Sequence, residues 1–252
     1  VPGALTYPTR ETNWQGKHPF TGIQLSDKGA ALMAEKFAAV REVVGWQIPV
    51  ASDHFGHIDV NSCIKLGKAV GPYQLAWLED MVPWEYTDML KEIKHAIDVP
   101  LLTGEDIYTL DGGFKKLIDE RAVDMVHPDL ATAGGILETK KIGDYAEAAG
   151  IAMAMHFAGT PVSFMANLHC AAATENFVVL EHHSVDVAWW EDLVTGVAKP
   201  LHTDGFARVP EGPGLGIELN LDVVKEHLDR GGELFAPTDE WNQDRSNDRL
   251  WS

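Results

Sequence analysis

The chain has 252 residues, 45% hydrophobic and 23% charged, with 38 acidic side chains against 20 basic ones and a formal charge of −18. Such a composition is that of a folded globular chain with ample core, and its acidity excludes nucleic-acid or anionic-membrane surfaces, which need clustered Lys and Arg. No apolar run approaches the roughly 20 residues of a membrane span, and Cys63 and Cys170 alone make no disulfide framework, so the expectation is a cytoplasmic protein with neither nucleic-acid nor membrane partners.

Short apolar runs alternate with stretches of helical spacing. Residues 3–7 form a first candidate strand and 21–26 a second, followed by a helical stretch at 31–44. Strands are expected at 48–53 and 74–79, a helix at 89–97 and a strand at 99–105. A helix at 114–120, a strand at 123–129 and a helix at 137–149, stopped by Gly150, come next. Strands at 151–156 and 177–181 complete a set of eight. Their length and apolar character suit buried parallel strands. Eight strand–helix repeats predict an α/β fold of the TIM-like (β/α)8 barrel type. No Gly-x-Gly-x-x-Gly follows a strand, so a dinucleotide fold lacks its main signature. The expected organisation is a lead-in segment at 1–20, a barrel at 21–216, and a C-terminal helix and tail at 217–252 packed on the barrel.

Each of the last six candidate strands ends in an ionisable residue. Asp53, Glu79, Glu105, Asp129, His156 and Glu181 are separated by 26, 26, 24, 27 and 25 positions. That spacing is one βα unit, which places the six side by side at the C-terminal mouth of consecutive strands, where barrel enzymes hold their active sites. One acid at a strand end is commonly the cap of the next helix; six in register call for more. The trio Asp53, Glu79 and Glu105 cannot stay ionised together without a cation, and oxygen donors suit Mg²⁺. His156, with Asp129 on the strand between, reads as an oriented general base. Glu181 is placed to exchange a hydrogen bond where charge develops on a substrate. The set predicts proton abstraction beside a metal-bound carboxylate, with the enediolate stabilised by the metal. Asp80 and Asp106 are expected to face away by strand alternation. His127 is expected to be a satisfied strand histidine, His169 a packed helix residue, and Trp77, Trp189 and Trp190 packing residues. His182 and His183 are open between supporting the site and being polar loop residues, as are Gly134 and Gly135 between opening a helix and touching a carboxylate.

Trp77-Leu-Glu79-Asp, Thr103-Gly-Glu105, His127-Pro-Asp129, Ala133-Gly-Gly-Ile136 and Met155-His156 resemble the enolase superfamily, in particular the mandelate racemase subgroup and its acid-sugar dehydratases of the galactonate and mannonate type. The resemblance implies Asp53, Glu79 and Glu105 as Mg²⁺ ligands, His156 as base, Asp129 as its dyad partner and Glu181 as hydrogen-bond partner of the intermediate. It also implies a small sugar-acid carboxylate as substrate, a 2-keto-3-deoxy acid as product and a homo-oligomer. Three departures stand out. Two-base members carry a basic Lys at the end of the second strand, where this chain has Gln24 and Ser26, with Lys28 beyond. The dehydratases place a His two positions after the first metal ligand; here that position is Phe55, flanked by His54 and His57, which become candidate acids for the leaving hydroxide alongside His156. The α+β capping domain of the family is expected to be absent or vestigial in this chain. An epimerase, racemase or cycloisomerase using the same enolate and a catalytically degenerate binding barrel are the alternatives.

Overall fold

The structure is a computed structural model, and it describes residues 6–7, 24–53, 58–228, 232 and 234. Its elements are β1 (Thr6–Tyr7), β2 (Gln24–Leu25), α1 (Asp27–Val44), α2 (Val60–Val70), β3 (Leu78–Glu79), α3 (Thr87–Ala96), β4 (Leu101–Thr103), α4 (Lys115–Asp119), β5 (Met125–Val126), α5 (Leu130–Ala133), α6 (Ile136–Ala148), β6 (Ala152–Met155), α7 (Pro161–Ala172) and β7 (Phe177–Leu180). Four two-residue strands, β8 (Val194–Thr195), β9 (His202–Thr203), β10 (Phe206–Ala207) and β11 (Glu218–Leu219), then lead to α8 (Leu221–Glu226).

β3 to β7 form a parallel sheet in sequence order. A parallel bridge between Ser52 and Leu78 adds a sixth rank at its near edge. The register aligns Leu78 with Leu101, Leu102 with Met125, Val126 with Met153 and Met155 with Leu180. Leu78, Leu101, Leu102, Val126, Met153 and Met155 are all buried, as expected of parallel strands covered on both faces. Connecting helices supply the cover. Thr139, Ile142, Gly143 and Ala146 form the buried stripe of α6 at helical spacing. A Cβ on Gly143 would sit 2.5 Å from the Thr174 side chain, so this glycine lets α6 pack closely on the turn that follows α7.

The strand positions expected from the sequence recur as shorter ladders, and the expected helices appear within a few residues. α1 begins earlier than its apolar spacing suggests, because the Ser26 hydroxyl accepts from the Gly29 amide and caps it. α2 and α7 were not among the expected helices. Asp59 caps the first on the Ser62 amide, and Thr160 followed by Pro161 starts the second. The first candidate strand is a correction. Thr6–Tyr7 pairs antiparallel with Gln24–Leu25, apart from the parallel sheet. Pro2 and Pro8 bracket it, and neither can donate to a ladder. Closure of eight strands is therefore not seen among the described residues. Beyond β7 the outer sheet edge pairs with no described strand; Val178 and Val179 stay exposed there and line an apolar groove of about 460 Å³ with Phe164, Leu168 and Phe206. Of the expected C-terminal helix and tail at 217–252, residues 217–228, 232 and 234 are described, with α8 the helix among them. No described helix is long and apolar enough to cross a membrane.

One buried cation fixes the approach to the first site strand. Arg41, in the last turn of α1, is 6% exposed, and its guanidinium donates to the carbonyls of Tyr73, Gly45, Ile48 and Gln74 at 2.7–3.2 Å. These hydrogen bonds tie α1 to the segments that lead into Ser52 and Leu78. Arg41→Met keeps the apolar stem and leaves those carbonyls without their donor. Urea denaturation is expected to show a loss of about 3 kcal/mol, and a loss well under about 1 kcal/mol would mean that water satisfies the carbonyls instead.

Candidate functional site

The parallel register delivers the six strand-end residues to one edge of the sheet. Asp53 follows the Ser52 bridge, Glu79 closes β3, and Glu181 follows β7 with its amide donating to the Met155 carbonyl at 2.9 Å. Asp129 and His156 are themselves bridge partners in parallel register. Glu105 lies one residue beyond Gly104, whose φ of 144° suits glycine. A Cβ there would meet Phe114 at 2.6 Å and the His127 amide at 3.1 Å.

His127 lies beneath this rim and is 2% exposed. Its Nδ1 faces the Ala154 carbonyl at 3.0 Å, and its Nε2 faces Glu79 Oε1 at 3.0 Å and Glu181 Oε2 at 3.2 Å. Both ring nitrogens therefore meet acceptors, which requires a hydrogen on each and makes the ring a cation. Burial pushes its pKa down, but the hydrogen bonds it donates to Glu181 and Glu79 outweigh burial and raise it to about 10. For Glu181 burial acts upward, and the hydrogen bonds from His127 and His183 more than reverse it, leaving the carboxyl near 2. The other oxygen of Glu79 accepts from the Trp77 indole N–H at 3.0 Å. His127 is thus satisfied, as expected of a strand histidine, but its partners are two site carboxylates; Trp77, expected as packing, orients a third contact. Parity held the signal: His127 and Asp129 are two apart and share a strand face.

Asp80 is a further correction, because it does not face away. Its φ is +46°, so alternation ends at Glu79, and Asp80 gathers with Asp53 and Glu79, with ligand atoms within 4.8 Å of one another. Thr103 donates its hydroxyl to Asp80 Oδ1 at 2.5 Å. Burial, opposed by that hydrogen bond and reinforced by Glu79, Glu105 and Asp53, pushes Asp80 up to about 6. Asp106 has no place in any of these clusters among the described residues.

His156 Nδ1 is 2.7 Å from Asp129 Oδ2, and its Nε2 is 3.2 Å from Glu105 and 3.7 Å from Glu181. Asp129 Oδ1 accepts from the Ala131 and Thr132 amides, so one carboxylate both caps α5 and holds the imidazole. Burial acts on each partner first, lowering His156 and raising Asp129, and their mutual hydrogen bond reverses both shifts. The ring that faces Glu105 is thereby kept in one orientation and made more basic. Gly134 ends α5 and Gly135 starts α6, at φ 108° and 89°, so the pair serves helix geometry.

Among the described residues the trio expected to hold a metal divides around Glu79. Asp53, Glu79 and Asp80 converge on one side, and Glu79, Glu105 and His127 on the other. Burial, then the charges of Asp53 and Glu79, raise Glu105 despite the favourable charge of His156. Carboxylates that raise one another's pKa, all with oxygen donors, fit a hard divalent cation. His54 and His57 lie outside the described residues. His169 lies on α7, close to the Leu215 carbonyl. His182 packs against Phe157, Phe164 and Trp190, and His183 stands 2.5 Å from Glu181. Because folding raises the His127 pKa, its stabilising contribution is complete below about 6.5 and is lost as pH rises through about 10. Glu181, with a lowered pKa, contributes fully above its unfolded value near 4.3 and loses that contribution as pH falls toward about 2. Melting temperature in EDTA is expected to fall between pH 6.5 and 10, and His127→Gln, which cannot titrate, is expected to flatten that slope. A parallel slope in the variant would mean that His127 is not ion-paired.

Residues 11–223 match the family model described as enolase C-terminal domain-like. The chain is 39% identical over 197 residues to the D-xylonate dehydratase of Haloferax volcanii, covering 78% of this chain and 47% of that protein. A solved mandelate racemase/muconate lactonizing enzyme-like protein from Rubrobacter xylanophilus is 39% identical with a TM-score of 0.79, covering 82% of this chain and 52% of that one. An enolase from Pantoea ananatis, solved with bound D-gluconate and Mg, is 29% identical with a TM-score of 0.71 over 84% of this chain and 50% of that one. The chain thus spans about half the length of the relatives it matches. With this family model matched over most of its residues, the chain belongs to the enolase C-terminal domain-like family.

Proposed function

We propose that this chain carries the catalytic rim of a Mg²⁺-dependent sugar-acid dehydratase, built on a (β/α)8 barrel of which the described sheet supplies six consecutive ranks. The observation that carries the reading is the His156–Asp129 pair at 2.7 Å, with His156 Nε2 facing Glu105 across the acidic cluster. Similarity to a D-xylonate dehydratase supports a sugar acid as substrate, and the Mg in the Pantoea ananatis structure supports the choice of cation.

Asp53, Glu79 and Glu105 would hold the ion, which would supply positive charge where the substrate carboxylate gains negative charge. His156 Nε2 takes the proton from the carbon α to that carboxylate. Asp129 holds Nδ1, so the ring accepts this proton on one nitrogen only and stays aligned. Glu181, fixed by His127 and His183, presents an oxygen to the substrate's polar groups beside the base. The β-hydroxyl then leaves with a proton as water, and among the described residues the newly protonated His156 is the donor placed to give it. The enol product tautomerises to the 2-keto-3-deoxy acid, so one water is lost and no redox partner is needed.

Ser26 caps α1, Gln24 is exposed and Lys28 is exposed on the first turn of α1. The positions where two-base members carry a basic Lys thus hold Gln24 and Ser26, which favours dehydration over two-base racemisation. Proton NMR in D₂O with Mg²⁺ and a panel of aldonic acids headed by D-xylonate and D-gluconate is expected to show a 2-keto-3-deoxy product carrying deuterium at C3. Deuterium at C2 without loss of water would replace the dehydratase by an epimerase. His156→Asn is expected to lower turnover by on the order of 10²–10⁴-fold with Mg²⁺ affinity retained; undiminished turnover would remove His156 from the base role.

A further inference from the structure

Beside the carboxylate cluster, which it meets where His156 Nε2 approaches Glu105 at 3.2 Å, lies a second set of donors of different chemistry. His156, Glu181 and His183 each offer one ligand atom, and the three atoms lie within 4.8 Å of one another. His183 Nε2 is 2.5 Å from Glu181 Oε1, and His156 Nε2 is 3.7 Å from Glu181 Oε2. The His156 and His183 rings are 6.0 Å apart between centroids and tilted by 47°. His183 has a side chain 53% exposed, so beyond its contact with Glu181 it has room to rotate, whereas Asp129 holds His156 from behind at Nδ1. An imidazole backed by a carboxylate is the usual arrangement of a ligating histidine.

Two imidazole nitrogens and one carboxylate, with a fourth position facing solvent, are a donor set suited to Zn²⁺ and ill suited to Mg²⁺. Ligand atoms roughly 2.0–2.2 Å from a zinc ion in tetrahedral geometry lie closer together than 4.8 Å, a contraction that rotation of His183 supplies. We propose that His156, Glu181 and His183 form a Zn²⁺ site separate from the carboxylate site, and that zinc bound there switches the rim off. The blocking follows from valence and rests on the base role proposed for His156: a lone pair of Nε2 donated to zinc cannot accept a proton. The same mouth thus takes two cations with opposite consequences, a hard one between Asp53, Glu79 and Glu105 and a borderline one across His156, Glu181 and His183.

The test uses the full 252-residue chain saturated with Mg²⁺ and titrated with ZnCl₂ by isothermal calorimetry, in parallel with the sugar-acid NMR assay. His183→Asn keeps a hydrogen-bonding group beside Glu181 but removes the imidazole ligand. The expected result is one zinc equivalent that excess Mg²⁺ does not displace, weakened by at least about tenfold in His183→Asn, with Mg²⁺ affinity unchanged in the variant. Turnover is expected to fall in step with zinc occupancy and to return on chelation. Zinc affinity identical in His183→Asn, or zinc displaced one-for-one by Mg²⁺, would overturn the site, whatever the activity. Zinc binding that depends on His183 but leaves turnover untouched would overturn the blocking and the base role of His156 together.

Discussion

Parallel strands in register deliver their terminal residues to one place, and here five of those six residues are carboxylic acids. Bringing them together while removing water from around them raises the energy of every ionised form. The structure answers this with a cation where solvent cannot reach. His127 lies under the rim with hydrogen on both nitrogens and neutralises part of the charge of Glu79 and Glu181. It also fixes how far apart those two groups stand, although they belong to strands four places apart in the sheet. On the side of Asp53 the balance differs: burial and the neighbouring acid charges push the pKa values of Asp80 and Glu105 upward. The protein thus divides one dense patch of negative charge into a part that it satisfies itself and a part that invites an ion.

The same economy of groups appears elsewhere at the rim. Asp129 spends one oxygen on capping α5 and the other on His156, so the orientation of the imidazole is tied to the start of a helix rather than to a mobile loop. Trp77 points its indole N–H at Glu79 from two residues upstream, and Thr103 reaches from β4 to Asp80. Glu79 and Asp80 are thus each held by a neighbour on the same or the adjoining strand. Precision at the mouth is therefore inherited from the sheet, whose rigid elements hold a site better than loops do.

The sheet was legible in the sequence because buried parallel strands are short, apolar and evenly spaced, and an interval near 25 residues leaves little beyond one strand, one helix and two turns. Helix starts were harder to read, since the Ser26, Asp59 and Thr160 caps depend on single polar residues rather than on periodicity. At the site, strand-end positions could be read one by one, but pairings across strands could not. Glu181 meets His127 across 54 positions of sequence, a contact fixed by sheet order and not by any local motif. Asp80 escaped because a single left-handed residue ends the alternation on which its orientation had been judged. The first expected strand departed for a different reason: Thr6–Tyr7 is a two-residue ladder, too short to hold a place in the parallel sheet.

The outer edge of β7 has a consequence for the chain in solution. Its backbone amides and carbonyls run beside an apolar groove, with Val178 and Val179 turned outward, and an edge of that kind is a template on which further strands can add. A net charge of −18 opposes the approach of a second copy. That repulsion acts over a screening length of about 8 Å at physiological ionic strength and shrinks as salt is added. Colloidal behaviour is thus set by a balance between a short-range, sticky edge and a longer-range, salt-sensitive shield, so that ionic strength governs the chain's tendency to self-associate.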